Sequence, residues 1–300
     1  TKLYKMMIKG EYDLVVSYLE GPATRIISGC PNKHSKLLNW VHTEINNPKE
    51  LTKSYRSIKE LVKSYNSYDA TIFVSNTARA AFERTFKGID GSMLVKYNTV
   101  DTQHITLKSK EQIRDIEISS NRINLISVGR FTEQKGYTRL IKIMQLLLDN
   151  KLNIHLYLLG KGELESKFRE VISEERLNDY VTILGYKDNP FKYVKKCDLF
   201  VCSSYKEGYS TAVTESLIVG TPVVTTFCSG MEEMLGPNNE YGLITENSDE
   251  SLYEGIKRML TEPGLLAYYK QKAEERGKTF STKKTVKDVE ELIDNLLSEN

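Results

Sequence analysis

Cysteine is scarce in this 300-residue sequence. Four residues (Cys30, Cys197, Cys202 and Cys228) show no C-x-x-C spacing and no regular ladder. That favours small buried hydrophobes in a reducing compartment over a metal or disulfide role. The four histidines (His34, His42, His104 and His155) are scattered, which argues against a zinc cluster. Long apolar runs are missing too. The longest, such as Leu156–Leu159 and Leu199–Cys202, are strand-length and far below the roughly 20 residues needed to span a bilayer. No sign of charge dominates: a formal net charge of +2 gives no general attraction to nucleic acid. There is no initiator Met and no charge-then-apolar signal pattern at Thr1–Tyr4, with Tyr4, Met7 and Ile8 spaced as if inside a helix. The expectation is a shortened N-terminus.

What is present alternates short apolar runs with longer amphipathic segments, the pattern of a parallel sheet wrapped by helices. Strands are expected at Asp13–Ser17, Lys36–Val41, Ala70–Val74 and Met93–Lys96, with helices at Pro48–Asn66 and Thr77–Phe86. The polar stretch Asp101–Asn121 reads as a connector between domains. Beyond it the pattern sharpens. Strands are expected at Ile123–Val128, Ile154–Leu159, Val181–Leu184, Leu199–Cys202, Pro222–Thr226 and Tyr241–Ile244. Helices are expected between them at Tyr137–Asp149, Leu164–Glu175, Thr211–Val219 and Ser251–Leu260. Six strands with intervening helices make one complete doubly wound domain. The segment Thr282–Leu297 carries Val286, Val289, Leu292, Ile293, Leu296 and Leu297 on one helical face and must bury that stripe.

The sharpest local feature is E-G-Y-S-T-A-V-T-E at Glu207–Glu215, between a strand and a helix. Ligands of open α/β sheets bind beyond the carboxyl ends of strands, where this turn lies. Gly208 lets backbone approach a ligand, and the amides of Ser210, Thr211 and Ala212 form an anion site at a helix N-terminus. Two carboxylates bracket it and suit sugar hydroxyls. On spacing alone, a solvated loop charge at Glu207 and a surface ion pair at Glu215 explain the same residues equally well. A second feature, V-G-R-F at Val128–Phe131 followed by Lys135-Gly136, ends the first strand of the same domain. Taken singly, an Arg and a Lys at a strand end are usually surface charges. Placed opposite a diphosphate, Arg130 and Lys135 would stabilise the charge that builds as a bond to phosphate breaks.

Four blocks together resemble glycosyltransferase family 4: V-G-R-F-x-x-x-K-G, L-L-G-K-G-E at Leu158–Glu163, I-L-G-Y at Ile183–Tyr186, and E-G-Y-S-T-A-V-T-E-S followed by G-T-P-V-V at Gly220–Val224. The last holds that family's paired glutamates, separated by seven residues. The resemblance implies an α/β GT-B fold: two Rossmann-like doubly wound domains facing a cleft, the first truncated. The implied division is a partial acceptor-side domain at 1–105, a nucleotide-sugar-binding domain at 106–280, and a final helix at 281–300 that crosses back to the first domain. It also implies roles. Arg130 and Lys135, beside Gly129, would bind the donor diphosphate; Glu215 would take the ribose hydroxyls. Glu207 would touch the transferred sugar, with Gly208, Tyr209 and the Ser210, Thr211 and Ala212 amides on phosphate and sugar, and Tyr186 near the base. His42, in W-V-H-T, resembles the histidine that faces the donor sugar; Ser75 and the Tyr97–Asp101 run match later strands of that domain. The glycine-rich turn that follows the family's first strand is absent.

The implied reaction retains anomeric configuration and moves a sugar from a nucleotide-diphosphate donor, UDP-sugar being expected, to a glycan or lipid-linked acceptor. The expected setting is cell-surface polysaccharide biosynthesis, in the cytoplasm or at the inner face of the membrane. No cofactor is expected, and no D-x-D triplet stands ready to hold a metal on the diphosphate. Two rivals share parts of this pattern. One is a sugar-nucleotide epimerase of the same architecture. The other is a dinucleotide-dependent oxidoreductase or nucleotide-binding module, against which Glu165 stands at the third glycine position of G-x-G-x-x-G.

Overall fold

The computed structural model describes residues 2–298, which divide into two α/β units, each with its own parallel sheet. The first unit comprises Thr1–Thr99, Glu207–Tyr209 and Lys283–Asn300; the second comprises Val100–Lys206 and Ser210–Thr282. The boundary therefore lies at Thr99 rather than 105, and the first unit draws on three separate stretches of chain.

Its sheet contains β1 (Leu14–Ser17), β2 (Lys36–Val41), β3 (Ala70–Phe73) and β4 (Ser92–Val95), in that spatial order and all parallel. Side chains alternate across a strand, so Leu38 and Trp40 of β2 face one side and Val41 the other. Val41 and Phe73 pack with Ile45, Leu61, Tyr65, Phe82 and Phe86 on one face. On the opposite face Leu38, Trp40, Ile72 and Val74 pack with Val289, Leu292, Ile293 and Leu296 of the helix Thr282–Ser298. The apolar stripe of that last helix is thus used in the first unit. Val286, counted in the same stripe, remains 39% exposed.

Two expectations in this region change. The stretch 48–66 is two helices, Lys49–Thr52 and Ile58–Tyr65, not one. Ser57 adopts an extended backbone and its hydroxyl accepts from Glu60 N at 3.1 Å, starting the second helix. The S-I-K-E spacing there is a capping box signal, and Glu60 Oε2 accepts from Arg56 N, one residue before the cap, instead of from the cap's own amide. The supposed connector also contains a helix, Thr102–Lys108, capped by Asp101 through His104 N at 2.9 Å.

The second sheet is built from β5 (Ile123–Val128), β6 (Ile154–Leu159), β7 (Val181–Gly185), β8 (Leu199–Cys202), β9 (Val223–Thr226) and β10 (Leu243–Thr245). Its spatial order is β10-β9-β8-β5-β6-β7. The order reverses between β5 and β8, which is the switch point of a doubly wound sheet. The helix Tyr137–Asp149 buries Leu140, Ile141, Met144 and Leu147 against this sheet's core. Tyr241 lies outside β10. A helix at Leu265–Gly277 went unread because it buries only Tyr269 and Ala273, too few to mark a stripe.

Candidate functional site

The two turns singled out by sequence leave β5 and β8, the neighbours at the switch point. Gly129 ends β5, and a Cβ there would come within 2.7 Å of the Tyr137 hydroxyl. Phe131 is fully buried, edge-on to Tyr137 and Phe168. Between these anchors Arg130 is exposed and makes no ion pair among the described residues. A 3-10 turn, Glu133–Lys135, carries half-buried Lys135 to Gly136, whose φ of 66° is left-handed. An alanine Cβ at 136 would sit 2.1 Å from Ser203 O, so K-G fixes the approach of this turn to the end of β8.

The G-K-G turn after β6 has a different use from cradling a dinucleotide. A Cβ on Gly160 would meet Gly129 O at 1.8 Å, and one on Gly162 would meet Phe131 O at 2.5 Å. Phe131 N donates to Lys161 O at 3.0 Å. These glycines let one loop lie on the other, supporting Arg130 from below. Tyr186 follows β7 and is 60% exposed, with Lys161 Nζ 4.7 Å from its ring centroid.

Ser210 is the N-cap of the helix Thr211–Val219, its hydroxyl accepting from Val213 N at 3.5 Å. That leaves the amides of Thr211 and Ala212 among the first-turn donors with no intrahelical acceptor. Glu215 lies one turn further along. Burial pushes its carboxyl up from 4.5 to about 7. Such a group favours ionisation once hydroxyl donors reach it. The cost in the free protein is testable. Because the folded value is raised, the penalty is absent below 4.5 and fully present above about 7. Glu215→Gln is therefore expected to stabilise the ligand-free chain at pH 8 by on the order of 1–3 kcal/mol, and not at pH 4.5. Denaturant melts at the two pH values measure it; an equal effect at both would contradict the burial account.

The remaining predicted residues belong to the first unit. Glu207 is buried, 6% exposed. Gly208 lies against the backbone of β2's end: a Cβ there would be 2.0 Å from His42 O. The Tyr209 ring stands 5.5 Å from that of Tyr97. His42 Nε2 is buried without a hydrogen-bond partner, and burial lowers the ring's pKa against an opposing pull from Glu20. A neutral imidazole follows. Ser75, matched to a later strand, instead caps the helix Asn76–Thr85 through Ala78 N at 3.1 Å.

Two residues at the end of β1 escaped the sequence reading. Glu20 Oε2 accepts from His42 N at 3.1 Å and Oε1 from Thr43 Oγ1 at 2.6 Å, so one carboxylate holds both residues. Tyr18 lies 4.8 Å from the His42 ring and 5.7 Å from Trp40, while remaining 62% exposed. The signal was E-G-P directly after a strand, where Gly21 takes a φ of 88° to begin the helix Pro22–Ile27. Among the described residues, no group of three or more His, Cys, Asp or Glu is arranged to hold a metal.

A doubly wound sheet whose switch-point strands both feed anion-competent turns defines the nucleotide-binding class of α/β protein. More narrowly, the chain belongs to the glycosyl transferases group 1 family, whose model matches residues 108–276. It is 35% identical over 196 residues to the Campylobacter jejuni N-acetylgalactosamine-N,N'-diacetylbacillosaminyl-diphospho-undecaprenol 4-alpha-N-acetylgalactosaminyltransferase, covering 65% of this chain and 51% of that one. Several curated relatives it matches are likewise spanned over about half their length. Among solved structures, it superposes on sucrose-phosphate synthase from Thermosynechococcus elongatus with a TM-score of 0.80 at 18% identity, covering 100% of this chain and 77% of that one. It also superposes on HepE from Anabaena in complex with UDP, with a TM-score of 0.75 at 17% identity, covering 95% and 79%. The fold is that of the GT-B glycosyltransferases.

Proposed function

We propose that the chain transfers a sugar, with retention, from a UDP-sugar to a glycan or lipid-linked acceptor in cell-surface polysaccharide synthesis. The observation that carries this reading is the pairing at the switch point. β5 delivers Arg130 and Lys135, and the adjacent β8 leads to the helix N-terminus at Ser210–Ala212. Cations and free amides fed from neighbouring strand ends suit a diphosphate. Glu215 takes the ribose hydroxyls, Tyr186 borders the base, and Glu207 and His42 serve the transferred sugar. The relative named for a diphospho-undecaprenol compound supports a lipid-linked acceptor.

In the reaction, the bond from the anomeric carbon to the diphosphate oxygen breaks and a bond to the acceptor oxygen forms on the same face. Arg130 and Lys135 stabilise the charge left on the diphosphate. The acceptor's proton passes to the departing phosphate oxygen, so no protein base is required. Two fixed cations supply what a metal ion would otherwise supply on the diphosphate, and the turnover rate is expected to survive excess chelator. A rate that collapses with chelator and returns with a divalent cation would refute this. None of the described helices is long and apolar enough to cross a membrane; action at the inner membrane face would rest on the acceptor. The decisive test is a thermal-shift comparison of UDP, GDP and ADP. UDP should raise the melting temperature by several degrees, and no shift with any of the three would sink the donor reading.

A further inference from the structure

Arg139 is a buried cation that takes no part in the reaction as described. It is 3% exposed, in the first turns of the helix Tyr137–Asp149. A guanidinium taken out of water carries a large desolvation cost unless its donors are met. Nε and Nη2 both donate to Ser203 O, at 2.8 Å and 2.5 Å. Nη2 also reaches Ser204 O at 2.9 Å and Asn247 Oδ1 at 2.9 Å. The guanidinium carbon lies 3.9 Å from the Tyr205 ring centroid. Asp249 is the one carboxylate paired with it among the described residues, well exposed and 3.6 Å from Nη1, a nitrogen that is buried without a hydrogen-bond partner. Most of the compensation for this buried charge therefore comes from main-chain carbonyls of one short segment, residues 203–204.

That segment is the stretch between β8 and the Glu207 turn. Asn247 holds its next carbonyl, with Nδ2 donating to Tyr205 O at 2.9 Å and to Phe227 O at 3.1 Å. On its other side the segment is stitched to the Lys135 turn. Tyr205 N donates to Gln134 O at 2.8 Å, Gln134 Nε2 to Lys206 O at 2.8 Å, and Ser203 Oγ to Lys135 O at 2.8 Å. Ser203 O, which Arg139 grips twice, is also the oxygen that excludes a side chain at 136.

We propose that Arg139 is a positioning residue, which touches no substrate and sets the segment 203–206 against the Lys135 turn, so that the two donor-binding turns are held in one geometry. Its functional consequence rests on the donor reading above; its structural consequence does not. Lysine at this position keeps the charge but cannot reach several carbonyls in one plane.

The test compares Arg139→Lys and Asn247→Ala with Leu147→Ala, a core substitution in the same helix expected to lower stability without touching the clamp. Hydrogen exchange of the ligand-free protein is read at the Tyr205 amide, which donates to Gln134 O. Both clamp variants should exchange there at least tenfold faster, with the β5 amides unchanged, whereas Leu147→Ala should not single out this position. UDP titration should show at least a tenfold loss of affinity in Arg139→Lys and little in Leu147→Ala. If the Tyr205 amide exchanges as in the wild type, or no faster than in Leu147→Ala, the clamp is refuted. Normal UDP affinity with fast exchange would refute its bearing on the donor turns. Failure of the wild type itself to bind UDP would count against the donor reading alone, since the exchange result still judges the clamp.

Discussion

Replacing Arg130 and Lys135 together by alanine is expected to weaken UDP binding by roughly 10²–10⁴-fold. Each removes a charge-assisted hydrogen bond worth about 1.5–3 kcal/mol, and each factor of ten in affinity corresponds to about 1.4 kcal/mol. The expectation is specific because of how the turn is built. Phe131 and Gly136 are locked by burial and by Ser203 O, so truncating the exposed Arg130 or the half-buried Lys135 leaves their backbone in place. Calorimetry should accordingly show lost affinity with a melting temperature near that of the wild type. Unchanged affinity in both single variants would remove the diphosphate assignment. The two effects should combine less than additively if both cations meet the same phosphate.

The paired glutamates should separate kinetically. Ribose contacts are alike in ground and transition states, so Glu215→Gln should chiefly raise the donor KM, by roughly tenfold. Its wild-type counterpart should bind donor more tightly as pH rises from 6 to 8. The carboxyl, at about 7 in the free protein, must ionise to accept both hydroxyls. Glu207 is assigned to the transferred sugar, where positive charge develops as the bond to phosphate breaks. Glu207→Gln should lower kcat by about 10²-fold with little change in donor KM. Single-turnover and steady-state rates decide between them. Normal turnover in Glu207→Gln beside stalled chemistry in Glu215→Gln would reverse the assignment, and two normal variants would remove it.

The second sheet was legible because its inner strands are buried on both faces and read as short uninterrupted apolar runs. Ile123–Val128, Ile154–Leu159 and Leu199–Cys202 have the limits the sequence suggests. Helices that bury little, such as Leu265–Gly277, gave no stripe to read. Of the candidate site, the residues whose chemistry is local were visible: glycines at tight approaches, an N-cap serine, a carboxylate pair. Glu20 and Arg139 were not. Each acts on main-chain groups distant in sequence, Glu20 on residues 42–43 and Arg139 on residues 203–204, and nothing in their own neighbourhoods announces it. Arg139 in particular sits among apolar helical residues, where a charge would ordinarily be expected to face water.

The helix Thr282–Ser298 gives the chain an order of events during synthesis. Leu38, Trp40, Ile72 and Val74 emerge from the ribosome more than two hundred residues before Val289, Leu292, Ile293 and Leu296, which pack on them. The 183 residues from Val100 to Thr282, less the three at Glu207–Tyr209, belong to the other unit. At about 5–20 residues per second, the bare face of the first sheet waits on the order of ten seconds or more for its partner. During that interval the nascent first unit presents an apolar surface of the kind that chaperones bind, and a stop codon before Val289 would leave it so.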